Sequence, residues 1–321
     1  MQYYDLPGLT NPVSRFIYGT AIGPMFANED AGELLDAVFA AGINTIDTEH
    51  IYGESECSLG RWIRSRGLRD KVNILTKGCH HNQYRARVTP YDLRSDLADS
   101  LAKLGTDHVE LYLLHRDDPS VPVGPIVETL NALQAEGRIR CFGGSNWTHE
   151  RIEAANEYAY AHGLNGFSVS SPCFSLAEQV GDPWGGSVHI SGPKHRAARE
   201  WYMRHGMPVL AYSSLARGFL SGKFRSDSGK RVAEVFPRMG ESIAKEYEYP
   251  DNLERLRRAE ALAAEKGLTV PQVALAWTLR HPMFVSPILS PSTVPHLEAN
   301  LRAFNVELSD EEFLWLNLGE D

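Results

Sequence analysis

Four polar side chains, Asp47, Tyr52, Lys77 and His115, stand at or just beyond short apolar runs of β character. Asp47 closes Thr45-Ile46-Asp47, Lys77 closes Val72-Asn73-Ile74-Leu75-Thr76-Lys77, and His115 closes Val109-Glu110-Leu111-Tyr112-Leu113-Leu114-His115. A carboxylate, a phenol, an ammonium and an imidazole make a proton-donating device with no obvious nucleophile. A carbonyl that accepts hydride develops negative charge on oxygen, which must be stabilised and then protonated. A free tyrosine, with a pKa of about 10, is a reluctant acid at neutral pH. An ammonium beside it favours the phenolate and brings proton transfer closer to working pH. Asp47 would pair with Lys77 and hold the amine in place, while a neutral His115 would donate to the substrate oxygen. Taken singly, each of the four reads as a turn, packing or ion-pair residue. Four at matching strand ends point to one shared site.

A fold must deliver those ends to one face. Short apolar runs alternate with amphipathic stretches along almost the whole chain. The pattern predicts strands at Arg15–Tyr18, Thr45–Asp47, Val72–Lys77, Val109–His115, Ile139–Gly143, Gly166–Ser170, Pro208–Tyr212 and Met283–Leu289. Between and after them it predicts helices at Ala31–Ala41, Glu54–Arg66, Tyr91–Leu104, Ile126–Glu136, Thr148–His162, His195–His205, Asn252–Lys266 and His296–Phe304. Strict alternation favours a parallel sheet with crossover helices. The expected fold is α/β, a (β/α)8 TIM barrel whose reactive face lies at the carboxyl ends of the strands. Such a barrel takes about 250 residues, and the surplus sits in long loops after strands six and seven, Pro172–Lys194 and Arg217–Asp251. A doubly wound open sheet is the other architecture considered. No Gly-x-Gly-x-x-Gly follows the first strand to support it. With no repeat or linker, residues 1–321 read as a single domain.

Composition narrows the function classes. The chain has 321 residues, 43% of them hydrophobic, which supports a substantial core. A formal net charge of −9, with no dense Lys/Arg run, argues against a nucleic-acid surface. No apolar stretch approaches the roughly 20 residues needed to cross a bilayer, so a membrane role is not expected. The start, Met1-Gln2-Tyr3-Tyr4-Asp5-Leu6-Pro7, has neither a basic flank nor an apolar signal core. Cys57, Cys79, Cys141 and Cys173 are scattered without a Cys-x-x-Cys pair, so the expectation is a reduced cytoplasmic protein.

With those limits, the chain resembles the aldo-keto reductases nearly end to end. The strings that carry the resemblance are Gly19-Thr20-Ala21, Asp47-Thr48-Glu49-His50-Ile51-Tyr52-Gly53-Glu54-Ser55-Glu56, Thr76-Lys77, Leu114-His115-Arg116-Asp117, Gly143-Gly144-Ser145-Asn146 and Ala211-Tyr212-Ser213-Ser214-Leu215-Ala216-Arg217-Gly218. The resemblance implies a barrel that binds an extended nicotinamide dinucleotide without a Rossmann domain. It implies Tyr52 as proton donor, supported by Asp47, Lys77 and His115. It implies cofactor contacts at Gly19 and Thr20, at Ser145 and Asn146 for the carboxamide, and at Tyr212 for stacking on the ring. Ser214, Leu215, Arg217 and Gly218 match the loop that lies along the pyrophosphate, where backbone amides meet anionic oxygens.

Two departures bear on the cofactor. Ser171 stands where many relatives carry a glutamine that grips the carboxamide, and it is too short for the same contact. Ser290, Ser292 and His296, with Glu298 close by, stand where many relatives place Lys or Arg against a 2′-phosphate. Asn300 does match the family residue near the adenine. The cofactor is therefore expected to be NAD(H) or NADP(H), leaning toward NAD(H), with no metal.

His80, Trp147, Phe174 and Trp184 follow strands three, five and six and are expected to line the substrate pocket. Imidazole and aromatic groups near a hydride site suit a sugar or another polyhydroxylated carbonyl compound as the small-molecule partner. Oligomeric state has no signal in the sequence. Two other readings stay open. Cys79-His80-His81 with His115 and Asp47 would suit a metal-dependent barrel hydrolase, although sequential neighbours rarely chelate one ion and no His-x-His or His-Glu-x-x-His motif appears. A non-catalytic, cofactor-binding regulatory relative is the second, since one barrel hosts many functions.

Overall fold

The computed structural model describes residues 1–319. Eight parallel strands form a closed barrel: β1 Ile17–Gly19, β2 Thr45–Asp47, β3 Asn73–Gly78, β4 Val109–Leu114, β5 Ile139–Ser145, β6 Val169–Ser171, β7 Val209–Ala211 and β8 Val285–Leu289. They follow one another in chain order around the barrel, with β8 returning to β1. This is the (β/α)8 architecture that the alternating pattern predicts. Every residue of β3, β4 and β8 is buried, as a parallel sheet covered by helices requires. Contacts group the chain into two compact units, Met1–Ser171 with Ile288–Val294, and Pro172–Pro287 with the chain from Pro295 onward.

In the first unit the strand register is Tyr18 with Ile46, Ile46 with Ile74, Leu75 with Leu111, Leu113 with Gly143, and Ser145 with Ser171. Ile288 and Leu289 pair with Ile17 and Tyr18. Gly19 ends β1, where a Cβ would lie 2.5 Å from Ser290 Oγ and displace that side chain. β1 begins later than the pattern predicts. Val13–Ser14 pairs antiparallel with Tyr3–Tyr4, and the Arg15 N–H donates to the Gln2 carbonyl at 2.8 Å. β6 also starts late, since the Phe167 N–H is taken by Asn156 Oδ1 at 2.7 Å rather than by a strand.

In the second unit β7 pairs with Val285–Pro287 of β8. The sequence pattern predicts one helix before β8, whereas the structure has two, Pro250–Lys266 and Val270–Arg280. Gly267 in the left-handed conformation ends the first, and a capping box between Thr269 and Gln272 starts the second. The segment after β7 contains a helix at Gly240–Tyr247, and Asp310–Leu316 forms another near the C-terminus. Trp277 anchors this core, its ring 5.4 Å from those of both Phe174 and Phe313. No described helix is long and apolar enough to cross a membrane.

One contact in the first unit gives a test of this packing. Helices Ser55–Arg66 and Pro90–Leu104 meet at Gly60, where a Cβ would lie 2.8 Å from Leu104 Cα and 2.7 Å from its carbonyl carbon. Backbone atoms cannot swing aside as a flexible side chain can. Gly60→Ala should therefore destabilise the protein by about 1–3 kcal/mol, read as a lower denaturation midpoint in urea. An unchanged midpoint would contradict the close helix contact.

Candidate active site

β2 ends on Asp47 and β3 carries Lys77 one residue before its end, the two charges of the expected quartet. Lys77 Nζ lies 2.5 Å from Asp47 Oδ1, and both side chains are almost wholly enclosed. Lys77 Nζ also donates to the Thr48 carbonyl at 2.9 Å. Burial pushes the Asp47 carboxyl up from its usual range, and the Lys77 ammonium offsets only part of that rise. The loop after β2 then runs beside β3, with the His50 N–H donating to the Lys77 carbonyl at 3.1 Å. A turn closed by the Tyr52 N–H on the Glu49 carbonyl, 3.0 Å, brings the half-buried phenol back over the ion pair.

Lys77 Nζ stands 5.3 Å from the centroid of the Tyr52 ring. On another side the His115 ring meets Tyr52 edge-on, with centroids 6.2 Å apart, and Phe26 lies against the phenol at 5.7 Å. Asp47, Lys77, Tyr52 and His115 thus share one small volume at the carboxyl ends of β2, β3 and β4. Burial holds the His115 imidazole well below its ordinary range, with the positive charges of Lys77 and Arg116 adding to the effect. It is therefore neutral at physiological pH.

A fifth titratable group belongs to this cluster and was not among the sequence-derived candidates. Glu49, 1% exposed, places Oε1 2.9 Å from His115 Nδ1. Burial pushes its carboxyl up to about 7. The available signal was an acidic residue two positions after Asp47 in the string leading to Tyr52.

Of the expected pocket residues, His80 sits beside the cluster. Its ring meets His115 edge-on at 4.7 Å, its Nδ1 lies 2.8 Å from the His81 carbonyl, and burial pushes it down to about 4. Trp147 and Phe174 are different. Both are completely enclosed, so neither presents a surface to a pocket. Trp147 packs on Phe167 and donates Nε1–H to the Arg116 carbonyl at 3.1 Å, while Phe174 lies tilted against Trp277 in the core of the second unit. Large apolar rings just after a strand end satisfied the core first. Trp184, in the second unit, is 40% exposed and does present a face.

The groups matched to a cofactor divide between the two units. In the first, Ser145 and Ser171 are register partners, and Ser145 Oγ donates to the Ser171 carbonyl at 2.9 Å. Asn146 follows with φ 58° and donates Nδ2–H to the His115 carbonyl at 3.0 Å. The Ser171 hydroxyl is fully buried with no hydrogen-bond partner, so this strand end holds polar capacity that fits a carboxamide. Thr20 Oγ1, beyond Gly19, is likewise buried and unpartnered. Ser290 and Ser292 are exposed.

In the second unit Tyr212 is half-buried, edge-on to Trp184 at 6.2 Å. The Ser213–Gly218 turn is held by the Ser214 hydroxyl on the Ala211 carbonyl at 2.8 Å and by backbone bonds including Ala216 N–H to Ser213. Leu215 is half-buried within it. Ser213, Ala216 and Arg217 adopt positive φ, a costly conformation for residues with side chains. Arg217 is committed internally, paired with Glu246, bonded to Ser242 Oγ at 2.9 Å and stacked over Trp184 at 4.6 Å. Any role for this turn toward a pyrophosphate therefore falls to its backbone amides. His296 is exposed, Asn300 is half-buried, and both lie on the helix Val294–Leu301. Among the described residues no group of three or more His, Cys, Asp or Glu side chains is arranged to hold a metal ion. All four cysteines are free.

Comparison with known proteins agrees with this geometry. The sequence matches the aldo/keto reductase family over residues 16–316. It is 28% identical to aldo-keto reductase str7 of Strobilurus tenacellus, over 90% of this chain and 81% of that protein. It is 31% identical to norsolorinic acid reductase stcV of Emericella nidulans, over 88% of this chain and 70% of that protein. It is also similar to protein tas of Escherichia coli, at 27% identity over 97% and 95% of the two chains.

The enclosed ion pair gives a prediction that needs no substrate. Lys77→Met leaves the Asp47 charge buried and uncompensated and should cost about 3–5 kcal/mol of stability. The double variant Lys77→Met with Asp47→Asn should recover a large part of that loss, because no charge is left stranded. Additive losses in urea denaturation would show that the two groups are not coupled.

Proposed function

The chain belongs to the aldo/keto reductase family and is a nicotinamide-dependent carbonyl oxidoreductase, and on that premise we propose that Tyr52 is its proton donor. The observation that carries this reading is the Lys77 ammonium, tied to Asp47 at 2.5 Å and lying 5.3 Å from the Tyr52 ring centre. A positive charge so close favours the phenolate that proton donation leaves behind. Asp47 keeps the ammonium from drifting and limits the net charge beside the phenol. His115, kept neutral by burial, orients the reacting oxygen by a hydrogen bond. The bound nicotinamide supplies the hydride in reduction and takes it in oxidation. In the oxidative direction the same tyrosine receives the alcohol proton.

Carboxamide contacts go to Ser145 and Asn146, with Ser171 reaching only through a bridging water, and ring stacking goes to Tyr212. Pyrophosphate contacts go to the backbone amides of Ser214, Leu215 and Arg217, the Gly218 N–H being bonded to the Leu215 carbonyl within the turn. Gly19 and Thr20 add the β1 end. The substrate class favoured is a hydroxylated carbonyl compound such as a sugar. His80 supports that choice, a neutral imidazole beside His115 that can give or take a hydrogen bond. Trp184 offers a further exposed ring. A cofactor-oxidation screen against aldoses, keto-sugars and simple aldehydes tests the class. Preference for the simple aldehydes would count against it.

Tyr52→Phe should lower kcat by about 10²–10⁴ while leaving cofactor affinity, read by fluorescence quenching, nearly intact. Near-normal turnover in that variant would remove Tyr52 from the mechanism.

For the cofactor we favour NAD(H) over a strong preference for NADP(H). A 2′-phosphate carries close to two negative charges and wants charge-assisted donors. Each such bond is worth roughly 1.5–3 kcal/mol, and Ser290, Ser292 and His296 supply no permanent cation. Arg217 is held by Glu246, which leaves exposed Arg302 as the nearest basic group along this segment. Direct titration should give dissociation constants for NADPH and NADH within about tenfold of each other, or a lower one for NADH. A tenfold or greater advantage for NADPH would overturn this reading.

A further inference from the structure

Glu49 has the geometry of a working group and no role in the scheme above. Its carboxyl is enclosed, and Oε1 approaches His115 Nδ1 to 2.9 Å. The charged and titratable groups that face it come from three strand ends. Asp47 and His50 lie on its own segment, Lys77 and His80 come from β3 and the loop after it, Tyr112 belongs to β4, and His115 lies just past the end of β4. His115 in turn faces Lys77, Arg116 and His81. Among the described residues neither Glu49 Oε1 nor His115 Nδ1 has another hydrogen-bond partner, so Nδ1 faces the Glu49 carboxyl alone, which leaves Nε2 for the reacting oxygen.

We propose that Glu49 is a positioning residue that decides which nitrogen of His115 carries hydrogen, and so whether His115 offers the reacting oxygen a donor or an acceptor. The proposal rests on the reading of His115 as the group that orients that oxygen. Consider the protons held by the pair. When the pair holds two, they are arranged either as a neutral carboxylic acid with its O–H on Nδ1, or as a carboxylate facing an imidazolium. In both arrangements Nε2 carries hydrogen and donates to a carbonyl oxygen. When one proton leaves, the carboxylate draws the remaining one to Nδ1. A lone pair on Nδ1 would otherwise face a negative charge. Nε2 is then bare and accepts from an alcohol hydroxyl. The outcome does not depend on how the two-proton form divides its charge.

The change is placed where it matters physiologically. Burial raises Glu49 to about 7 while keeping the imidazole of His115 well below its ordinary range. The proton that moves is exchanged with water, and the substrate proton still passes to or from Tyr52. No electron is transferred in this step.

The experiment is ¹⁵N NMR of the His115 ring in cofactor-free protein, with kcat/KM for carbonyl reduction over the same pH range. In the native protein the ring should lose its Nε2 hydrogen and end as the Nδ1–H tautomer as pH rises through about 7. Over that interval kcat/KM for reduction should begin to fall, by about tenfold per pH unit. Glu49→Gln, similar in shape and without a titrating proton, should hold one tautomer throughout and lose that inflection. Glu49→Asp, which keeps the acid, should restore a tautomer change. A His115 tautomer constant across the range in the native protein, or one that changes identically in Glu49→Gln, would overturn the proposal. If Glu49→Gln does not fold, the ¹³C carboxyl shift of Glu49 in native protein decides, since it must titrate together with the ring nitrogens. Repeating the ring measurement in Tyr52→Phe separates the two readings. Loss of the Tyr52 mechanism leaves this titration in place.

Discussion

Two opposite charges taken out of water together are the constraint on which this site depends. Each buried ion costs several kcal/mol in lost hydration, and only a close partner offsets that. Lys77 and Asp47 meet this condition because β2 and β3 are adjacent and in register, Asp47 pairing with Leu75 and each strand ending within a few residues of the other. The pair then acts as a fixed local field. Tyr52 is brought over it by a turn, His115 is kept neutral partly by its positive end, and the Glu49 carboxyl is partly held down by the same ammonium. A slip of either strand by one residue would turn its charged side chain to the other face of the sheet, away from its partner, and dismantle the cluster.

Much of this was legible in the order of residues. Alternating apolar runs specified eight parallel strands, and the ends of three of them named Asp47, Lys77 and His115. Strand edges were less legible where something other than a neighbouring strand takes the backbone. Asn156 caps the Phe167 N–H, and Gln2 accepts from Arg15, and neither partner is near in sequence. The helix Val270–Arg280 did have a local signal, the Thr269–Gln272 box after Gly267. An apolar helix buried on most of its surface has only a weak amphipathic period, and that obscured it.

The side chains around the site show a sharper division. Polar residues at strand ends had few alternatives to facing the site, because burying them elsewhere would leave them without partners. Aromatic residues had alternatives. Trp147 and Phe174 found apolar neighbours and a complete enclosure, so their place in sequence was a poor guide to their role. Glu49 illustrates the converse. Its meaning depends on a histidine far along the chain, and the local string shows only an acidic residue two positions after Asp47, not a carboxyl raised by burial beside an imidazole.

The turn after β7 carries a consequence for how a ligand is received. Three of its non-glycine residues hold positive φ, as does Gly218, and Arg217 is fastened by Glu246, Ser242 and the Trp184 ring. The conformational entropy of this turn is therefore surrendered when the protein folds. An anion arriving at its amides has little left to order, and more of the contact energy appears as affinity. The fastening pair is largely enclosed, so mobile ions screen it weakly. The shape of the turn should then persist at ionic strengths that already weaken the long-range attraction drawing a charged ligand toward it.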